Sequence, residues 1–271
     1  MSDWTSGFVD SNDIRLHYNR TGGDKPPVVL CHGITDSGLC WTPVAQVLEA
    51  NYDVVMVDAR GHGQSSTPVS GYTRADHAAD VADLIDLLGL DRPALVGHSM
   101  GAGVAAVVAA KYPQMVSRIV LEDPPWRMGQ QSQEERMAAR AQWQRDIKAH
   151  QSKSDEELLA FVRQRSPTWG EGELSPWVVA KKSVSPAVLN FIDDEHRWQD
   201  DVDEITCPVL LVRADPELGA IVGPETVEYV TGKNDNIQVV HIPGAGHNIR
   251  REQFNAYIAA VIAFLAATAA A

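Results

Sequence analysis

Cysteine is scarce in this sequence: Cys31, Cys40 and Cys207 are the only three in 271 residues. So small and odd a number cannot build a disulfide framework, and without a C-x-x-C pair neither zinc binding nor thioredoxin-like redox chemistry is indicated. The three are read as reduced, mostly buried thiols of a cytoplasmic protein. Basic residues are also in short supply. Lys and Arg number 23 against 36 Asp and Glu, a formal charge of −13. An acidic surface of that kind lacks the cationic clusters that phosphate binding requires, so neither nucleic acid nor an anionic membrane is expected as a partner. Long apolar runs are missing too. The nearest to a membrane span, residues 258–271, reads as an amphipathic helix trailing into alanines. Met1-Ser2-Asp3-Trp4 has neither the basic start nor the apolar stretch of a signal peptide. Three signatures are absent as well: H-E-x-x-H of zinc proteases, G-x-x-x-x-G-K-[ST], and a strand-linked G-x-G-x-x-G. No metal and no cofactor are expected.

What the chain does have is the balance of an ordinary globular protein, 44% hydrophobic and 22% charged. Its length suffices for one large α/β domain with a sizeable core. Two alternating segments, Gly7–Val9 and Ile14–Tyr18, flank the turn Ser11-Asn12-Asp13 and read as an antiparallel hairpin. Apolar runs follow at Val28–Cys31, Asp53–Val57, Ala94–Val96, Ile119–Leu121, Val209–Val212 and Ile237–His241, separated by helical patterns. Strands without polar alternation, spaced by helices, predict a mostly parallel sheet covered on both faces. In Arg74–Leu88, Val81, Leu84, Ile85 and Leu88 share one helix face. Gly89 is the stop, and Thr73 with Asp76 resembles a capping box.

The spacing breaks between Trp126 and Gln199, where no strand is predicted. Ser132 with Glu135 and Ser154 with Glu157 look like capping boxes, and Pro167, Pro176 and Pro186 are read as punctuating short helical pieces. Trp126, Trp143, Trp169, Trp177 and Trp198 all fall in this stretch. The expected organisation is a core of residues 1–125 and 200–271 with a helical cap at 126–199. Its tryptophans either line an apolar pocket or glue the insertion together.

The chemistry centres on Gly97-His98-Ser99-Met100-Gly101, set between a strand run and a small-residue helix at 102–110. A serine on so sharp a strand-to-helix turn is strained, and glycines two residues either side leave room for it. Its hydroxyl stands beside a helix N-terminus that favours developing negative charge. Two glycines around a serine also arise by chance, and the flanking strand and helix are what make this a G-x-S-x-G nucleophile elbow. The base is placed at His247, in Pro243-Gly244-Ala245-Gly246-His247 directly after the final strand run. His241 reads as a sheet-end histidine and His98 as packing. The oxyanion donors are predicted to be the backbone amides of Met100 and Ile34, with Gly33 or Thr35 as alternates to Ile34. Trp126, His32 and Gly33 are the predicted pocket residues. Asp58 and Arg60 are read as an ion pair, or as turn hydrogen bonds, fixing their loop.

Four motifs occur in order: His32-Gly33, Asp58-Ala59-Arg60-Gly61-His62-Gly63-Gln64-Ser65, the elbow at Ser99, and Gly246-His247. With them the chain resembles the cap-bearing α/β-hydrolases, the group of esterases, lactonases and C–C-bond hydrolases. The resemblance spans nearly the whole chain and implies the α/β-hydrolase fold. The family usually sets the triad acid three residues past a glycine that ends the penultimate strand. Here Ala214 stands at that glycine, the third residue on is Glu217, and Asp215 lies nearer the strand. Some relatives carry the acid after the preceding strand instead, where Asp123 follows Glu122. Asp215, Asp123 and Glu217 therefore all stand as candidates, in that order. The expected activity is hydrolysis of a small, mainly apolar or aromatic ester or lactone through an acyl-enzyme at Ser99. No matched arginine pair that would demand a diacid is legible. Amide or C–C bond hydrolysis is one alternative, and a non-catalytic receptor of the same fold is another. Serine in place of aspartate as nucleophile sets aside epoxide-hydrolase and dehalogenase chemistry. A small-molecule substrate is the expected partner, and the protein is expected to be a monomer or homodimer.

Overall fold

Runs such as Val28-Val29-Leu30-Cys31 can be apolar throughout only where both faces of a strand are covered, because successive side chains point to opposite sides. The computed structural model describes residues 4–11, 13–129 and 132–267, and shows this arrangement. Asn12 of the expected hairpin turn lies outside the described residues, as do the first three residues and the closing alanines. The strands are β1 (Thr5–Ser11), β2 (Ile14–Arg20), β3 (Pro27–Cys31), β4 (Asp53–Val57), β5 (Ala94–His98), β6 (Arg118–Glu122), β7 (Val209–Arg213) and β8 (Ile237–His241). They form one eight-stranded sheet in the order β1-β2-β4-β3-β5-β6-β7-β8. β1 pairs with β2, and β2 with β4, antiparallel; the remaining pairs are parallel.

Alternate residues of one strand feed two cores. Val29 and Cys31 join Val55, Leu95 and Leu211 on one face, and Val28 and Leu30 join Val54, Val96 and Leu210 on the other. The first face is closed by α2 (Arg74–Leu87) and α3 (Met100–Lys111). The second is closed by α1 (Thr42–Leu48) and, near the chain end, α10 (Phe254–Ala266), with Trp41 fully buried between. The expected capping box of α2 is present: Thr73 Oγ1 accepts from the Asp76 N–H and the Asp76 carboxylate from the Thr73 N–H. α3 has to be built of small residues because it lies against β3 and β5. A Cβ at Gly101 would collide with the Cys31 carbonyl, and one at Gly97 with the Gly101 carbonyl.

Between β6 and β7 the described chain is helical. It carries α4 (Gln133–Gln151), α5 (Asp155–Arg165), α6 (Glu171–Ser183), a 3₁₀ stretch Pro186–Asp193 and α7 (Trp198–Glu204). Ser132 and Ser154 do form capping boxes with Glu135 and Glu157. Pro176 departs from its expected role, since it lies inside α6 instead of ending a helix. There it forfeits one backbone hydrogen bond, and its own carbonyl receives Cys40 Sγ at 3.7 Å. After β7 come α8 (Pro224–Lys233) and, beyond β8, the short α9 (Ile249–Glu252). No helix among the described residues is long and apolar enough to cross a membrane.

Candidate active site

The elbow serine is strained, with φ 51° and ψ −114°, a region that side chains rarely adopt. Two hydrogen bonds over-determine it. Its N–H donates to the Glu122 carbonyl at the end of β6 (2.9 Å), and its carbonyl accepts the Gly103 N–H in α3 (3.0 Å). Gly33 lies flush against it: a Cβ there would sit 2.9 Å from His98 Nδ1 and 3.6 Å from Ser99 Cβ. Only a residue without a side chain lets the loop after β3 approach the serine so closely.

His247 follows β8 on a loop that bends back because Gly246 packs on the Leu218 carbonyl, where a side chain would clash. Its Nδ1 lies 2.6 Å from Asp123 Oδ2. Since a carboxylate only accepts, Nδ1 carries the proton and Nε2 is left as the basic nitrogen. Asp123, immediately after β6, has φ 41° and no exposure to solvent. Its buried charge is compensated by the N–H groups of Ile221 (2.8 Å to Oδ2) and Val222 (2.9 Å to Oδ1) as well as by His247. This corrects the placing of Asp215 first. Asp215 accepts instead from His241 Nε2 (2.5 Å) and the Gly244 N–H (2.7 Å). The Gly244 N–H and His241 together lower its pKa. It is engaged in closing the rim between β7 and β8. Glu217 is exposed on the 3₁₀ turn Pro216–Leu218 and meets neither histidine nor serine.

Ser99, His247, Gly33 and Ile34 line one cavity of about 450 Å³, whose other walls come from α4, α5 and α6. The Met100 N–H opens α3, so it has no partner within the helix. His98 does more than pack: its Nε2 donates to the His247 carbonyl (2.9 Å), tying the elbow to the histidine loop. Burial, then Arg250 and His247, push its pKa well below the ordinary histidine value, so it is neutral. Two expected pocket residues lie elsewhere. His32 is buried behind the loop, donating from Nδ1 to the Gly33 carbonyl (2.8 Å) and accepting the Ala59 N–H (3.0 Å). Burial lowers its pKa to about 4. Trp126 stacks on Trp198 at 5.3 Å within the core beside α3 and is 1% exposed. A residue that rigidly packed cannot also face the cavity.

Trp143, Trp169 and Trp177 do line the cavity, but among charged groups that were not foreseen: Arg165, Lys181, Arg251, Asp36 and Asp146. The expectation of a mainly apolar lining is thereby corrected. Asp58 and Arg60 do not pair with each other. Asp58 holds His17, Gly38 and Gln64, while Arg60 forks onto Asp80 at 2.7 and 2.6 Å. Among the described residues no three His, Cys, Asp or Glu side chains converge as a metal site requires.

A family model described as alpha/beta hydrolase fold matches residues 26–250. The chain belongs to this family. This hydrolase is 31% identical to an N-formylmaleamate deformylase of Pseudomonas putida, with 96% of each chain covered. It is 30% identical to a 2-(acetamidomethylene)succinate hydrolase of Mesorhizobium japonicum, covering 89% of this chain and 88% of that one. A crystal structure of an E-2-(acetamidomethylene)succinate hydrolase superposes with a TM-score of 0.80 at 26% identity, covering 97% of this chain and all of the other.

Proposed function

We propose that the chain is a serine hydrolase that cleaves the acyl bond of a small, carboxylate-bearing amide. The observation that carries this is the 2.6 Å bond between His247 and a fully buried Asp123 on the cavity that Ser99 lines. In this reading Ser99 Oγ attacks the acyl carbon while His247 Nε2 takes its proton. Asp123 holds the ring in the tautomer that leaves Nε2 free and stabilises the imidazolium. The Ile34 and Met100 amides receive the negative oxygen, each worth roughly 3 kcal/mol of barrier if it behaves like other oxyanion donors. Collapse expels the amine, which takes the proton from His247, and leaves an acyl-Ser99. Water then gives a proton to His247 Nε2 and attacks the acyl carbon; collapse breaks the bond to Ser99 Oγ, which takes that proton back from His247, and the acid is released.

The amide class is supported by two relatives that match along most of the chain and whose names specify a deformylase and an acetamido-acid hydrolase. The carboxylate is supported by Arg165, which lines the cavity with no carboxylate partner among the described residues. Ester and lactone hydrolysis remain open to the same machinery, because an alcohol is an easier leaving group than an amine. A fluorophosphonate probe tests the nucleophile: folded wild type should be labelled and Ser99→Ala should not. A panel of N-acyl amino-acid-like amides, p-nitrophenyl esters and lactones tests the bond. Turnover of esters with none of the acid-bearing amides would replace the amide reading by the ester one. Arg165→Gln should raise KM for an acid-bearing substrate about two- to fivefold, the loss of one ion pair at an exposed side chain, and leave KM for a neutral ester unchanged.

A further inference from the structure

Six charged side chains are buried together beside the cavity, three acids and three bases, and Asp36, Lys181 and Arg251 of them line it. Asp36, Glu122, Glu173, Lys181, Arg250 and Arg251 are each at most 6% exposed. Asp36 is the hub. Its Oδ1 accepts from Lys181 Nζ of α6 at 3.0 Å, and its Oδ2 faces Arg250 Nη2 at 3.3 Å and Arg251 Nη2 at 3.1 Å. Lys181 also donates to the Thr35 carbonyl (2.6 Å) and hydroxyl (2.8 Å), so its three protons are all engaged. Arg250 reaches Glu122 through its backbone N–H (2.9 Å) and Nη1 (3.2 Å). Arg251 Nε donates to Glu173 of α6 (2.9 Å), and its guanidinium lies 4.6 Å over the Trp169 ring.

The placement of these groups along the chain is what matters. Asp36 is two residues past Ile34, Glu122 directly precedes Asp123, and Arg250 is three residues past His247. Lys181 and Glu173 belong to α6, a wall of the cavity. The oxyanion loop and the acid's segment thus carry one member each, the base's segment carries two, Arg250 and Arg251, and α6 carries two. An apolar cluster of equal volume would stabilise the fold as well or better, since desolvating six charges offsets much of their attraction. What apolar packing lacks is fixed distance and direction.

Resting on the serine-hydrolase reading, we propose that Asp36 is a positioning residue. By holding Lys181 with one oxygen and Arg250 and Arg251 with the other, it makes the seating of α6 and the placement of His247 a single event. Burial alone would push the Asp36 carboxyl up, but Arg251, Lys181 and Arg250 outweigh it and keep the group charged far into acid.

The test is the rate at which a small neutral fluorophosphonate, too short to need the insertion for binding, labels Ser99. Wild type, Glu173→Gln, Lys181→Met, Lys181→Arg and Asp36→Asn are compared well below their melting temperatures. Labelling should slow about ten- to a hundredfold in Glu173→Gln and Lys181→Met, the effect of a small misplacement of a catalytic group. Lys181→Arg should recover part of it. Equal rates in folded Glu173→Gln, Lys181→Met and wild type, with only the melting temperature lowered, would overturn the proposal. Should Asp36→Asn not fold, the two α6 variants decide it alone. Wild type that is folded yet unlabelled would overturn the serine-hydrolase reading itself, a result distinguishable from equal rates.

Discussion

At the scale of single residues, the serine and the histidine were legible because each is announced by its own backbone. Gly97, Gly101 and Gly246 stand where a side chain would strike a carbonyl, so the glycines that mark the motif are the ones the turns require. The acid was not legible in this way. Asp215, Asp123 and Glu217 are all carboxylates near strand ends. The choice among them depends on Ile221 and Val222, whose amides cradle Asp123, and on His241, which occupies Asp215. Neither fact is local in sequence. Kinetics should separate them sharply. Asp123→Asn should lower kcat by about 10⁴ through loss of the correct His247 tautomer. Asp215→Asn should leave kcat within a few-fold, because its partner is a rim histidine. Equal losses in the two variants would remove Asp123 from the triad.

At the scale of elements, the strands emerged as apolar runs because a sheet covered on both faces permits no polar alternation. Helix starts at Thr73, Ser132 and Ser154 were readable for a similarly local reason, since a capping box spans only four residues. Pro176 was misread because the roughly 3 kcal/mol that an interior proline costs a helix can be offset by contacts that hold the helix in place, and α6 is held by Lys181 and Glu173. α3 offers a contrast that can be measured by urea unfolding. Gly101→Ala drives a methyl into the β3 backbone and should destabilise by about 1–3 kcal/mol or more. Gly103→Ala meets Pro125 at 3.4 Å and Arg74 Nε at 3.8 Å, ordinary contacts, and should be neutral, or stabilising by up to roughly 1 kcal/mol from helix propensity. Comparable losses at both positions would mean that α3 does not approach β3 as described.

At the scale of the whole molecule, the ion network was invisible in sequence because its members are spread from residue 36 to residue 251 and meet only after folding. A second distributed property is the burial of His32, His62, His77 and His98, each at most 3% exposed and each with its pKa lowered by burial. The unfolded chain takes up protons at these sites below about pH 6.5 and the native state does not, so stability is complete above that pH and lost as pH falls. Acid unfolding followed by tryptophan fluorescence should therefore develop as pH falls below the ordinary histidine value of about 6.5. His77 makes no hydrogen bond through Nε2 and sits edge-on to Phe191. His77→Phe should move the midpoint to lower pH, and an unmoved midpoint would show that the buried histidines do not govern it.

The rings of Trp126, four residues past β6, and Trp198, at the start of α7, stack 5.3 Å apart, so the two ends of the helical segment between β6 and β7 are pinned together. A segment inserted in that manner is exchangeable in principle: another helical module could be spliced at the same doorway without disturbing the order of strands. The rest of the architecture narrows that freedom. A transplanted module would have to present a cation to Asp36 and an anion to Arg251, or leave each of these buried groups short of one partner. Substrate preference can thus diversify through the module's aromatic and cationic lining, while two of its side chains are conscripted by the scaffold. Chimaeras that carry both should fold and turn over; chimaeras that carry neither should be recovered as insoluble or inert protein.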